Sequence, residues 1–309
     1  MEERGAKMKE QIKNYLNYLK VNEERSDNTI ASYKVDLKQL DEYLGKNNLN
    51  ITNIKLQHFI DFLLYLDEQN KKKTGDVLSA STKARKITTI KSFFKYLLEV
   101  EGLIKDNPTL KLRHPKIPKT LPQFLTLDQA LALIKSAEKV PSKATRNKAI
   151  LTLFLNSGLR ISELIKIELD DIRNGVVRVV GKGKKTREIP LNDMTLSAVN
   201  EYLKVRPKVN SNKLFITERN DGFSVSGMQY LIKRHFEMAG IDTKKYSTHD
   251  LRHTAATLMH NNGTDILTIG DILGHESVST TQIYTHLNQE IKQKAVDNNP
   301  LNKAFVLQQ

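Results

Sequence analysis

The chain has 309 residues, enough to bury a substantial core and to divide into two domains. Its net charge of +14, with 27% of residues charged, points to a polyanionic partner, nucleic acid ahead of a membrane surface. The absence of cysteine excludes disulfides, thiolate zinc sites and thiol nucleophiles.

The opening stretch, MEERGAKMKEQIKNYL, is charged and lacks the apolar centre of a signal peptide. No apolar run reaches the roughly 18 residues of a membrane span, so a cytoplasmic protein with no membrane partner is expected. Met8, Ile12, Tyr15, Leu16 and Leu19 recur at helical spacing and predict a first amphipathic helix. A second carries Ile30, Tyr33, Leu37, Leu40 and Leu44 on one face, with Ser26 or Asn28 as its cap. A third runs through LQHFIDFLLYLDEQ from Leu56 and is expected to end in the loop NKKKTGDVLSAS. Ser79 or Ser81 then caps a fourth helix containing Ile87, Ile90, Phe93, Phe94 and Leu97. Four such stripes predict a compact helical bundle over residues 1–114.

The fourth helix begins STKARKITTIK, basic at its start and apolar later, as suits a helix that enters a DNA groove end-first. Lys83, Arg85, Lys86 and Lys91 are therefore candidate DNA contacts; a merely solvated basic face is the competing reading. Residues 115–123 lie in HPKIPKTLPQF, where Pro115, Pro118 and Pro122 crowd together, and are expected to form an extended linker.

Residues 124–309 show a mixed pattern. TLDQALALIKSA, capped by Thr126, and ATRNKAILTLFLNSG are expected to be helices. GVVRVVGKGKKTREIPL alternates around Gly181 and Gly183, which predicts a β-hairpin with Lys182 at its tip. KLFIT, from Lys213, is a candidate short strand, and from SVSGMQYLIKRHFEMAGI onward the chain reads as helical. The fold class is thus mainly α with a small β-sheet: an N-terminal bundle followed by a mixed α+β domain.

Chemistry concentrates in this second half. SGLRISEL places Arg160 at a turn-to-helix junction, and STHDLRH places His249 and Arg252 one helical turn apart, able to face one phosphate. His275 follows Gly274, nine positions before Tyr284 in TTQIYTH. Breaking a phosphodiester by transesterification needs a nucleophile, charge stabilisation, a proton acceptor and a proton donor. A tyrosine can attack, guanidinium forks can hold the non-bridging oxygens, histidines can hydrogen-bond the phosphate, and a lysine on a glycine-flanked hairpin can protonate the leaving oxygen. Taken singly, each residue has an ordinary reading: a half-buried tyrosine, a capping arginine, a solvated turn lysine. Their conjunction in one basic chain is what favours catalysis. His249 and His253 have the spacing of a zinc pair, but the glutamate of H-E-x-x-H is missing and Arg252 would repel a cation. The Walker spacing for a phosphate loop is also absent.

These motifs, in this order, resemble the active site of the tyrosine recombinase (phage integrase-like) family, and most of all its Xer-type members and small integrases. The resemblance implies Tyr284 as nucleophile, with Arg160, Lys182, His249, Arg252 and His275 completing the site and Glu163 supporting it. It also implies an N-terminal SAM-like, core-binding domain that closes on double-stranded DNA with the catalytic domain as a C-shaped clamp. Activity would need neither metal nor ATP. It would run through a four-way junction within a tetramer on two DNA sites, either of identical chains or with a second recombinase. The tail from Leu287, with Ile291, Ala295, Leu301, Phe305 and Val306, would dock into a neighbouring protomer. A type IB topoisomerase and a non-catalytic DNA-binding protein are the competing functions.

Overall fold

The computed structural model describes residues 2–117, 122–181, 183 and 185–275. Tyr284, Lys182 and the tail from Leu287 lie outside the described residues. The chain divides into two compact units, Met1–Lys119 and Thr120–Gln309. No helix among the described residues is long and apolar enough to cross a membrane.

The first unit is built from four helices: α1 (Glu2–Val21), α2 (Asp27–Lys46), α3 (Leu56–Thr74) and α4 (Ala80–Glu99). Ser26 caps α2 by accepting from the Thr29 amide, and Ser79 caps α4 by accepting from the Thr82 amide at 3.2 Å. Tyr15, Leu37, Leu40, Phe59, Phe62, Phe93 and Phe94 meet in the core. Phe59 and Phe94 pack edge to face with centroids 5.1 Å apart, the arrangement that ring quadrupoles favour. Helix α3 departs from the sequence expectation. It continues through Lys71, Lys72 and Lys73 instead of ending before them, and stops at Gly75 with φ +84°. Lysine is a good helix former and its charge suits the C-terminal end of the dipole; glycine alone takes the left-handed turn without strain.

The second unit contains α5 (Leu127–Lys135), α6 (Ala144–Ser157), α7 (Ile161–Leu164) and an antiparallel sheet of β1 (Ile172–Arg173), β2 (Val176–Val180) and β3 (Thr186–Pro190). Then come α8 (Asp193–Val205), α9 (Val225–Met238), α10 (Thr248–Asn261) and α11 (Ile266–Leu273). Helix α6 is the hub: Ala149, Ile150, Leu151, Leu153, Phe154 and Leu155 are all buried, so it is covered on several sides, and α8 and α10 pack against it. The hairpin has the register Val177↔Ile189 and Val180↔Thr186, which turns Val177, Val179 and Ile189 into the core. KLFIT makes no strand. Lys213 and Ile216 form only isolated bridges, to Glu168 and Gly222, because the segment is held by burial of Leu214 and Phe215 and not by a ladder. The third strand is β1, and α8, capped by Asn192, is a helix that the sequence pattern had not singled out.

Candidate active site

Helix α6 ends at Gly158, whose φ of +59° turns the chain sharply into Arg160 and α7. A Cβ at Gly158 would stand 2.5 Å from Leu273 Cδ2 and 3.3 Å from Ala255 Cβ, so the turn is pressed against α10 and α11 and admits no side chain. The close approach also brings the Gly158 carbonyl to Arg252.

Arg252 is 3% exposed. Its Nη1 donates to Gly158 O at 2.7 Å and its Nη2 to Leu273 O at 2.7 Å. Arg160, whose side chain is 37% exposed, donates from Nη1 to Glu163 Oε1 at 3.0 Å and from Nη2 to Gly274 O at 3.4 Å. The two arginines are therefore fixed to neighbouring carbonyls at the end of α11. There Gly274, at φ +65°, lets the His275 amide return to Gly270 O at 3.0 Å and directs the histidine out of the helix.

Glu163 is buried at 4% exposure. It accepts from the Arg160 amide at 2.8 Å as well as from the Arg160 guanidinium. Arg187, on β3, grips it bidentately, Nη1 to Oε1 at 3.1 Å and Nη2 to Oε2 at 2.9 Å. Burial opposes ionisation of Glu163, but the hydrogen bonds from Arg187 and Arg160 outweigh it and hold the carboxyl below its ordinary range. Sequence reasoning missed Arg187. The signal available was its place in TREIP: two positions before Ile189 on the same strand, so the alternation that sends Ile189 into the core turns Arg187 inward as well.

His249 and His253 lie one turn apart on α10, with ring centroids 5.5 Å apart. Partial burial, and then the charge of Arg252, hold His249 below the usual imidazole value; burial and the facing His249 do the same for His253. His275 is pushed down to about 4, first by burial and then by Arg252, Arg160, His253 and Arg187. The same causes favour the neutral form of all three imidazoles. Among the described residues no cluster of three or more His, Cys, Asp or Glu is placed to hold a metal.

Four of the six proposed catalytic residues, Arg160, His249, Arg252 and His275, therefore come together with Glu163. The base of the lysine hairpin reaches the same place: a Cβ at Gly181 would lie 3.5 Å from Arg187 Nη1 and 3.8 Å from Glu163 Oε1.

The α4 cations are less available than the sequence suggested. Lys86 is buried, donating to Asp36 Oδ1 at 2.7 Å and to Gln39 Oε1 at 2.5 Å, because Asp36 is itself buried and needs a counter-charge. Arg85 pairs with the same carboxylate, Lys83 with Asp67 Oδ2 at 2.5 Å, and Lys91 donates to Leu112 O at 2.9 Å. Lys86 thus stabilises the bundle from inside; Arg85, more exposed, keeps a side chain at the surface.

Comparison with known proteins accounts for both units. Residues 123–290 match the phage integrase family, and residues 12–100 match the phage integrase N-terminal SAM-like domain. The chain is similar to tyrosine recombinase XerC of Caldanaerobacter subterraneus subsp. tengcongensis, at 40% identity over 94% of this chain and 87% of the relative. It is 33% identical to tyrosine recombinase XerD of Staphylococcus epidermidis, over 90% and 94% of the two chains. The crystal structure of the XerH site-specific recombinase bound to difH substrate shares the fold, with TM-score 0.67 and 24% identity over 87% of this chain and 79% of that one. With both units matched and a relative 40% identical along almost the whole length, the chain belongs to the phage integrase family of tyrosine recombinases.

Proposed function

We propose that this protein cuts and rejoins DNA strands at specific sites through a covalent 3′-phosphotyrosine on Tyr284. The observation that carries this reading is the convergence of Arg160, Arg252 and His275 at the end of α11, where a phosphate would find two guanidinium forks within reach of neutral imidazoles. In the cleavage step the Tyr284 oxygen attacks phosphorus while the bond to the 5′-oxygen breaks. The His249 imidazole is suited to take the phenolic proton, His275 to hydrogen-bond the phosphate, and Lys182 to give a proton to the 5′-oxygen. Arg160 and Arg252 meet the charge that accumulates on the non-bridging oxygens, so the step needs no metal. Reversal with a different 5′-hydroxyl rejoins the strands. Residues 1–114 would grip the DNA through the SAM-like domain, with residues 115–123 as the link to the catalytic domain from 124 onward. The assembled form would be a tetramer of this chain, or of this chain and a second recombinase, joined through the tail after Glu290.

The test uses a nicked suicide duplex bearing a site selected by the protein from random-sequence DNA. The full-length chain should form a covalent adduct in excess EDTA, and Tyr284→Phe should bind equally well and form none. An adduct with Tyr284→Phe would move the nucleophile elsewhere, and a requirement for metal would overturn the scheme. Exchange between two sites, set against relaxation of a supercoiled plasmid lacking the site, separates a recombinase from a topoisomerase.

A further inference from the structure

Three arginines from three elements hold three successive carbonyls at the C-terminal end of α11. Arg187 Nε donates to Ile272 O at 2.9 Å, Arg252 Nη2 to Leu273 O at 2.7 Å and Arg160 Nη2 to Gly274 O at 3.4 Å. These carbonyls form the negative end of a helix, where cations are favoured. Two of the three arginines already have a proposed role at the phosphate. Arg187 has none, yet its guanidinium donates to Ile272 O and to both oxygens of Glu163, and its side chain is only 14% exposed.

Glu163 presents a problem that Arg187 resolves. A buried carboxylate bonded to Arg160 alone would form a neutral pair and compete with the substrate phosphate for the same guanidinium. Arg187 shares Glu163 Oε1 with Arg160 and takes Oε2 through its other Nη, so the trio of two cations and one anion keeps a net positive charge. Arg187 also leaves β3 only one residue after Thr186, which closes the hairpin ladder opposite Val180. The strand that returns from the lysine loop is thereby tied to Glu163 and to the carbonyl three positions before His275. The fit is tight: a Cβ at Gly274 would come within 2.9 Å of Arg187 Nη1 and 3.1 Å of its Cζ.

We infer that Arg187 is a positioning residue which, through the shared Glu163 carboxylate, orients Arg160 and leaves its charge available to the scissile phosphate. The inference rests on the reading of Arg160 as a phosphate ligand. Arg187 itself touches no substrate; it acts by keeping Arg160 in one orientation and by fixing the end of α11.

The experiment compares single-turnover cleavage of two duplexes, one with the ordinary scissile phosphate and one with a neutral methylphosphonate in its place. A guanidinium that stabilises phosphate charge matters less when that charge is absent. Arg187→Met should lose about 100-fold on the phosphodiester, the scale of a misplaced catalytic group, and clearly less on the methylphosphonate, following the pattern of Arg160→Ala. Arg187→Lys, which can reach one Glu163 oxygen but cannot also hold Ile272 O, should recover part of the loss. Equal loss on both duplexes, the result of a merely weakened fold, would overturn the inference. A second readout is independent of cleavage. In protein labelled with ¹⁵N-arginine, the Arg160 Nε–Hε resonance should be sharp in the full-length wild type and broaden by exchange with water in Arg187→Met. An unchanged resonance would also overturn the inference. Were the wild type to cleave neither duplex, the proposed function would fall, and the resonance would still decide whether Arg187 orients Arg160.

Discussion

Arg252→Ala and Arg160→Ala should both abolish cleavage, yet they should differ sharply in stability. Arg252 is buried and holds Gly158 O and Leu273 O at 2.7 Å each, joining the turn after α6 to the end of α11. Truncation leaves both carbonyls without that partner. Each buried acceptor so stranded costs about 1–3 kcal/mol, or roughly 2–6 kcal/mol together. Removing a desolvated guanidinium returns part of this, since burying a cation is itself unfavourable, and the expected net loss is about 2–4 kcal/mol. For a unit of this size that lowers Tm by roughly 5–15 °C. Arg160 is more exposed and its carbonyl contact is long at 3.4 Å, so its truncation should lower Tm by much less. Calorimetry or urea denaturation of the two full-length variants measures the difference. Equal midpoints for Arg252→Ala and wild type, or an equally large drop for Arg160→Ala, would refute the reading that Arg252, besides its role at the phosphate, locks the turn after α6 to the end of α11 while Arg160 does not.

Lys182→Ala should stop cleavage of an ordinary phosphodiester and be rescued by a 5′-bridging phosphorothiolate, whose sulfur leaves without a proton; lack of rescue would pass the acid role to Lys184 or Lys185. In the first unit, Lys86→Met should destabilise the bundle by about 2 kcal/mol, because Asp36 keeps only part of its counter-charge, and should leave the salt dependence of DNA binding unchanged. Arg85→Ala should instead flatten that dependence by about 0.9 log units of slope if it meets one phosphate, and an unaltered slope would place the contact elsewhere. The imidazoles give a pH signature. His275 is about 4 when folded, against 6.5 for an ordinary imidazole, so below pH 6.5 the unfolded chain takes up a proton that the folded one refuses. This contribution penalises folding progressively from pH 6.5 down towards 4 and is absent above. His275→Asn should therefore lessen the loss of stability on acidification through that window; parallel curves for variant and wild type would show that His275 is not held neutral.

Much of this protein was legible before any coordinates. Helical stripes such as Leu37, Leu40 and Leu44, the caps Ser79 and Thr126, and the alternation across β2 and β3 depend on fixed backbone periods, and they appear where the sequence places them. His249 and Arg252 share a turn of α10 for the same local reason. The cations that look alike in the sequence are separated only by packing. Lys86 and Arg85 are adjacent in a basic run, yet one is buried on Asp36 and the other remains partly outside, because burial depends on how α4 rotates against α2, a contact about 50 residues distant in sequence. Arg187 and Glu163 are 24 positions apart, and no local rule pairs them; they meet because the hairpin folds back over α7. The assignment of three arginines to three successive carbonyls of α11 is likewise a product of tertiary structure. Long-range hydrogen bonds are chosen by which backbone ends are left unpaired once the elements dock, and that is settled by the packing of the whole unit around α6.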